Sequence, residues 1–214
     1  VGFILVKLFA CLFLSGAVVK DEIGNLMNPQ AKEQGKENNT WTVDTDGSGV
    51  VRFFLNEQKG WKLSVVDAAL GTRYYKLETT SDGGYNWTTV NEDPFDGNGG
   101  VGEGIQFFNE QFGFIGLSGA SQTHSSIYVT KDGGKTLKEI ELPMDTVTEY
   151  PPHMQEYGFT LEDYQYLEMP QQDGENYTIH VMSQSGETEG LVFTSEDQGE
   201  NWSFTGVFDE NDLS

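Results

Sequence analysis

Hydrophobic and polar positions divide the chain into three stretches. Residues 1–19 are apolar apart from Lys7, Ser15 and small residues. Residues 20–40 are polar, rich in Asn, Gln, Lys and Glu, and show no periodicity. From residue 41 to 214, short apolar runs alternate with turn-forming Gly, Asn, Asp and Ser, a pattern of strands and not of helices. The predicted strands fall in groups of four. The first group is 51–55, 61–66, 74–79 and 87–90, and the second is 105–108, 114–117, 127–130 and 137–141. A less regular third group is 164–168, 177–183, 191–194 and 202–208. Residues 145–159 hold the Pro151-Pro152 pair and no strand pattern, which predicts a long excursion. Thr160-Leu161-Glu162-Asp163 can cap a short helical turn after it.

The chain also repeats itself. Arg52-Phe53-Phe54-Leu55-Asn56-Glu57-Gln58-Lys59-Gly60-Trp61 returns as Ile105-Gln106-Phe107-Phe108-Asn109-Glu110-Gln111-Phe112-Gly113-Phe114. A second element occurs three times: Thr80-Ser81-Asp82-Gly83-Gly84-Tyr85-Asn86-Trp87, Thr130-Lys131-Asp132-Gly133-Gly134-Lys135-Thr136-Leu137 and Ser195-Glu196-Asp197-Gln198-Gly199-Glu200-Asn201-Trp202. Its chemistry is that of a tight turn between antiparallel strands. Asp accepts backbone N–H bonds inside the turn, Gly supplies a positive φ, and the closing Trp packs beside it. Four short strands per unit of about fifty residues is the pattern of a β-propeller blade.

These three elements resemble the Asp-boxes, or BNR repeats, of sialidase-like propellers in the WD40-YVTN-BNR-like superfamily. The resemblance covers roughly residues 50–208, and the second box departs from it by ending on Leu137. It implies an all-β fold of about three four-stranded antiparallel blades. It also implies that the boxes lie in the turn between the third and fourth strands of each blade, away from the functional face. Thr80, Asp82, Gly84, Trp87, Thr130, Asp132, Gly134, Leu137, Ser195, Asp197, Gly199 and Trp202 are then structural residues. Propellers usually close with about four to eight blades. Three blades therefore imply an incomplete or fragmentary propeller, one that closes by self-association, or further blades that the repeats do not reveal.

Charge removes whole classes of partner. The chain carries 34 Asp and Glu against 12 Lys and Arg, a net charge of −22. Nucleic acid and anionic leaflets are bound through Lys and Arg clusters, so no nucleic-acid partner is expected, and membrane contact only through the N-terminal segment. Such charge also favours disorder. Against that, all 27 aromatics except Phe3, Phe9 and Phe13 lie between Trp41 and Phe208, where they can fill a core. The single cysteine, Cys11, falls in the apolar N-terminus, so the body has no disulfide, thiolate metal site or cysteine nucleophile. No metal and no cofactor are expected.

The N-terminal run, with Ser15-Gly16-Ala17 at its end, reads as a secretory signal cleaved after Ala17, which places the protein outside the cell or at its surface. An uncleaved membrane anchor, a lipobox at Leu8-Phe9-Ala10-Cys11 and a buried core helix are the alternatives. The polar stretch that follows reads as a tether. The chain opens on Val instead of Met, so either the first residues are missing or the start codon was read as Val, and with the abrupt acidic end at 209–214 this makes a fragment of a longer protein the first expectation.

Catalytic candidates are few. Sialidases hold their anionic sugar with three arginines, whose planar forks pair with carboxylate. This chain has only Arg52 and Arg73, so it cannot assemble that triad alone. If a ligand site exists, the resemblance puts it opposite the boxes, on loops 67–73, 119–125, 183–189 and 91–103. Arg73, Asp67, Asp93, Glu103 and His124 are the ligand-binding candidates there, each competing with a plain role as a solvated loop residue. His124, His153 and His180 lie far apart and form no constellation. Asp44-Thr45-Asp46-Gly47-Ser48-Gly49 starts like a calcium loop, but Leu55 stands where its bidentate Glu belongs. The Gly102-Glu103-Gly104 pattern lacks a following helix and carries no phosphate-loop weight. Sequons begin at Asn38, Asn86, Asn176 and Asn201, and matter only in a compartment that glycosylates.

The reading is an exported or membrane-tethered propeller module, without enzymatic activity of its own, that binds a protein or glycan at the cell surface. The alternative is a fragment of a sialidase-like glycoside hydrolase whose catalytic blades are partly missing.

Overall fold

The computed structural model describes residues 42–43 and 47–209. The expected export segment with Cys11, the tether with its Asn38 sequon, and Asp44 to Asp46 of the calcium-like loop lie outside the described residues.

The sequence alternation becomes three antiparallel sheets that follow one another along the chain. The first has the order β1 (Thr42–Val43), β2 (Val51–Phe54), β3 (Gly60–Ala69), β4 (Thr72–Thr80) and β5 (Thr88–Asn91). The second runs β6 (Val101–Phe107), β7 (Gly113–Ser118), β8 (Ser125–Thr130) and β9 (Lys138–Glu139). In the third, β10 (Tyr166–Leu167) and β11 (Gln171–Asp173) both pair with β12 (Asn176–Met182), followed by β13 (Glu189–Ser195) and β14 (Ser203–Asp209). Each sheet is an antiparallel meander, of five positions in the first and four in the other two, β10 and β11 sharing one position in the third. The fold is all-β, made of propeller blades that do not close a ring.

Blade two lies between the others, and its sequence carries the mark of that place. Every residue of β7, Gly-Phe-Ile-Gly-Leu-Ser, is buried, because both faces of the strand are covered. Ile115 and Leu117 face blade one, where they join Phe53, Trp61, Leu63, Leu77 and Phe107. Trp61 stacks on Phe107 with ring centroids 3.7 Å apart. Phe114 faces blade three and joins Ile127, Ile179, Leu191, Phe193 and Trp202. Each such side chain taken from water contributes about 1.5–3 kcal/mol, so both blade interfaces are core and not seam.

Two local devices recur with the sequence. In the Asn-Glu-Gln turns, Asn56 Oδ1 accepts the N–H groups of Gln58 and Lys59 at 3.0 and 2.8 Å. Asn109 does the same for Gln111 and Phe112, at 2.9 Å each. These turns dock against the Asp turns of their own blades: Gly83 N–H donates to Gln58 C=O at 2.9 Å, and Gly133 N–H to Gln111 C=O at 2.8 Å.

The strand expectations need four adjustments. The expected loop 67–73 is mostly strand, since β3 and β4 continue to a two-residue turn at Leu70-Gly71, both at positive φ. Glu103, expected in an inter-blade loop, lies within β6. The inner strand of blade three is broken into β10 and β11, with Pro170 between them unable to donate to a ladder. The closing Trp or Leu of each Asp turn precedes its strand instead of starting it. The excursion after β9 holds a 3-10 turn (Met144–Thr146) and a six-residue helix (Pro152–Tyr157). The capping box at Thr160 forms as the sequence indicated, with Asp163 accepting the Thr160 N–H at 2.7 Å.

Candidate functional site

The three Asp turns sit at one end of the blades and share one set of bonds. Thr80 Oγ1 donates to Asp82 Oδ1 at 2.7 Å and accepts the Gly84 N–H at 3.0 Å. Asp82 also takes the Asn86 backbone N–H at 2.9 Å and the Asn86 side-chain amide at 2.7 Å. Thr130, Asp132 and Thr136 repeat the arrangement, as do Ser195, Asp197 and Asn201. The Asn86 and Asn201 donors, followed by the turn hydroxyls, hold Asp82 and Asp197 down at about 2. Burial tends to raise Asp132, but Thr136 and Thr130 outweigh it and its pKa is lowered. Each of these carboxylates is thus engaged within its own turn. Of the closing residues, Trp87 packs edge-on to Phe54, Trp202 against Phe114, and half-buried Leu137 against the core between blades one and two.

At the opposite end, side chains from all three blades meet around half-buried Glu103 on β6. Ser118, the last residue of β7, donates to its Oε1, and the Tyr166 hydroxyl of β10 donates to its Oε2 at 3.0 Å. Burial, with the Glu103 charge alongside, pushes Tyr166 up to about 12. On the blade-one side, Tyr75 accepts the Gly102 N–H at 2.9 Å. Burial raises Tyr75, opposed by that N–H and by the Arg73 charge. Arg73 itself pairs backbone to backbone with Gly100, 2.9 Å in both directions, and its side chain lies against Gly49.

Ser118 also lines a polar pocket of about 310 Å³ with Asn98, His124, Ser126, Tyr128 and Glu139. His124 stands on the ridge to a second pocket of about 340 Å³, lined further by Met144, Tyr164 and Leu167. Glu139 accepts the Ser126 hydroxyl at 2.5 Å, and Asn98 donates to the Tyr128 hydroxyl at 3.3 Å. Tyr164 is pushed up to about 12 by burial and by Glu189 and Glu187. The arrangement offers donors and acceptors on two shallow walls, suited to holding a polar ligand.

Of the five sequence candidates, Arg73 and Glu103 flank Tyr75, and His124 joins them through the pocket that Ser118 shares. Asp67 and Asp93 do not join. Asp67 bonds the N–H of its own neighbour Ala68 at 2.8 Å, and Asp93 caps its loop at the Gly97 N–H, 2.9 Å. Sequence reasoning missed Tyr75, Ser118, Tyr166 and Glu139. Tyr75 was within reach, two residues from Arg73 on the same strand. Ser118 depends on the register between β6 and β7, and Tyr166 on packing between blades two and three, for neither of which a local signal exists. His180 lies elsewhere, stacked on Phe208 with Glu168 at 3.2 Å, and His153 is 3.8 Å from Glu187. Among the described residues, no group of three or more His, Cys, Asp or Glu is placed to hold a metal ion.

No protein-family model matches this chain, and no curated protein matches it. Among solved structures, a chain described as YCF48 bound to D1 peptide is similar to it, with 15% sequence identity and a TM-score of 0.34 over 80% of this chain. This chain spans 59% of the length of that one.

Proposed function

We propose that this chain is an Asp-box propeller module, exported or tethered by its N-terminal segment, that binds a protein or glycan at the cell surface without catalysing a reaction. The three identically bonded Asp turns support the sialidase-like repeat assignment. The observation that carries the binding reading is the state of Glu103. Its two oxygens are taken by Ser118 and Tyr166, so it neither waits as a base nor pairs with a second free carboxylate. Around it, His124, Ser126, Asn98 and Glu139 line pockets open on the same face.

One observation favours the second reading, a sialidase-like glycoside hydrolase. Such enzymes use a tyrosine nucleophile, and Tyr166 with Glu103 has the form of that pair. A nucleophilic tyrosine needs a lowered pKa, however, and Tyr166 is pushed to about 12. The chain also has only two arginines, Arg52 and Arg73, one short of the three that hold an anionic sugar in sialidases.

The test is a panel of aryl-glycosides, aryl-sialoside included, together with a printed glycan array and a displayed random-peptide library, all against the full chain. We expect no turnover, and retention of glycan or peptide that His124→Ala and Glu139→Gln weaken without changing the melting temperature. Turnover that Tyr166→Phe abolishes would establish the hydrolase in place of the module.

A further inference from the structure

The two pockets at the Glu103 end share a wall and differ in chemistry. His124, Ser126 and Glu139 border both. On one side, Asn98, Ser118 and Tyr128 complete the polar pocket of about 310 Å³. On the other, Ile140, Leu142, Met144, Leu167 and Val181 make the pocket of about 340 Å³ largely aliphatic. Among the described residues, no lysine or arginine lines either one. Lys138 is next to Glu139 in sequence, but it pairs with Val129 while Glu139 pairs with Tyr128, so the two stand on opposite faces of blade two. Arg73 is engaged with Tyr75.

The polar pocket is rich in acceptors and short of donors. The Ser118 hydroxyl gives its proton to Glu103, and the Ser126 hydroxyl gives its own to Glu139 at 2.5 Å. The Tyr128 hydroxyl accepts from Asn98 at 3.3 Å. Burial raises Tyr128, Asn98 opposes the rise, and the Glu139 charge adds to it, so the phenol stays neutral. A guest therefore meets oxygen lone pairs and the Glu139 carboxylate, with the Glu103 carboxylate behind the Ser118 wall. Asn98 and His124 supply the remaining side-chain N–H groups of the lining. Such a set matches a positively charged group with several N–H donors, and it repels a carboxylate or phosphate. The net charge of −22 draws the same kind of group toward the chain.

We infer that this pair of pockets reads a peptide, with a lysine or arginine head in the polar pocket and an aliphatic side chain in its neighbour. In an extended peptide, side chains two residues apart share a face and lie about 7 Å from each other, which suits two pockets divided by a single wall. The inference rests on the binding function proposed above and narrows its protein-or-glycan choice to a basic peptide segment. A neutral glycan has no ammonium for Glu139 and no aliphatic branch for the second pocket. Tyr128 and Tyr164 are also too buried to offer a sugar ring a face to stack on.

The test uses the full chain and fluorescent peptides of the form Gly-Ser-X-Gly-Z-Ser-Gly, blocked at both ends and made in both orders. X is lysine, arginine, acetyl-lysine or glutamate, Z is leucine or serine, and anisotropy reports binding. Lysine and arginine peptides with leucine should bind, more weakly as salt rises. Replacing lysine by acetyl-lysine, or leucine by serine, should cost about ten-fold or more. Glu139→Gln should melt like the parent and bind the lysine and acetyl-lysine peptides equally. Glu110→Gln makes the same charge change at an exposed residue of the Asp-turn end, and should keep the preference. Equal binding of lysine and acetyl-lysine peptides by the parent overturns the inference, and so does equal binding with leucine and serine. A preference that Glu110→Gln weakens as much as Glu139→Gln also overturns it, assigning the effect to net charge. Retention of a neutral glycan with no peptide bound overturns the inference and leaves the binding module standing. Failure of peptides and glycans alike overturns both.

Discussion

Asp82, Asp197 and Glu78 each collect several donors, and each is held at about 2. For Glu78, burial works the other way, but the Ser64 hydroxyl and the Lys62 and Lys76 ammonium groups outweigh it. Because these folded values lie below the ordinary 3.8 and 4.5, the stability they supply is complete above those values. It is lost as pH falls through the window toward 2. The urea midpoint should therefore decline steeply between about pH 4.5 and 2, and Asp197→Asn should flatten that slope while lowering the plateau at neutral pH. A midpoint independent of pH across that range would contradict the bonding described for the turns.

Elements in this chain are joined by turns that read one another. Gly83 and Gly133, at φ of 72° and 79°, lie under the Asn-Glu-Gln turns of their blades. A Cβ there would come within 2.8 and 2.9 Å of the carbonyls of Glu57 and Glu110. Blade three has no such turn, and its Asp turn carries Gln198 at φ 61° in the same place. The sequence difference between the repeats thus follows from the presence or absence of a neighbour. Gly133→Ala should cost about 1–3 kcal/mol in urea denaturation, from both strain and collision. Gln198→Ala should stay within about 0.5 kcal/mol. Equal effects would mean that the docking of the two turns is unimportant.

At the scale of the molecule, blade two belongs to two cores at once, since Ile115 and Leu117 face blade one and Phe114 faces blade three. Unfolding of the blades should therefore be a single cooperative event. Phe114 is fully buried, with Phe112, Tyr177 and Trp202 around it, and Phe114→Ala should cost about 3–5 kcal/mol. Far-UV and near-UV dichroism should still report one shared midpoint, moved downward. Two separated midpoints would show that blades one and three stand without each other.

The alternation of apolar and polar residues, the Asn turns and the Asp turns are local signals, and from them alone come the strand order, the blade unit and the backbone N–H bonds that Asp82, Asp132 and Asp197 accept. The same locality made the capping box at Thr160 legible. Tertiary structure decided what depends on register within a sheet and on packing between sheets: that Glu103 meets Ser118 across its own blade and Tyr166 across the next, that Asp67 and Asp93 do not join it, and that β3 and β4 outrun their neighbours to expose Leu70. A hydrogen bond inside a turn is fixed by residues a few positions apart, whereas a contact across a blade interface depends on how two packed faces settle against each other.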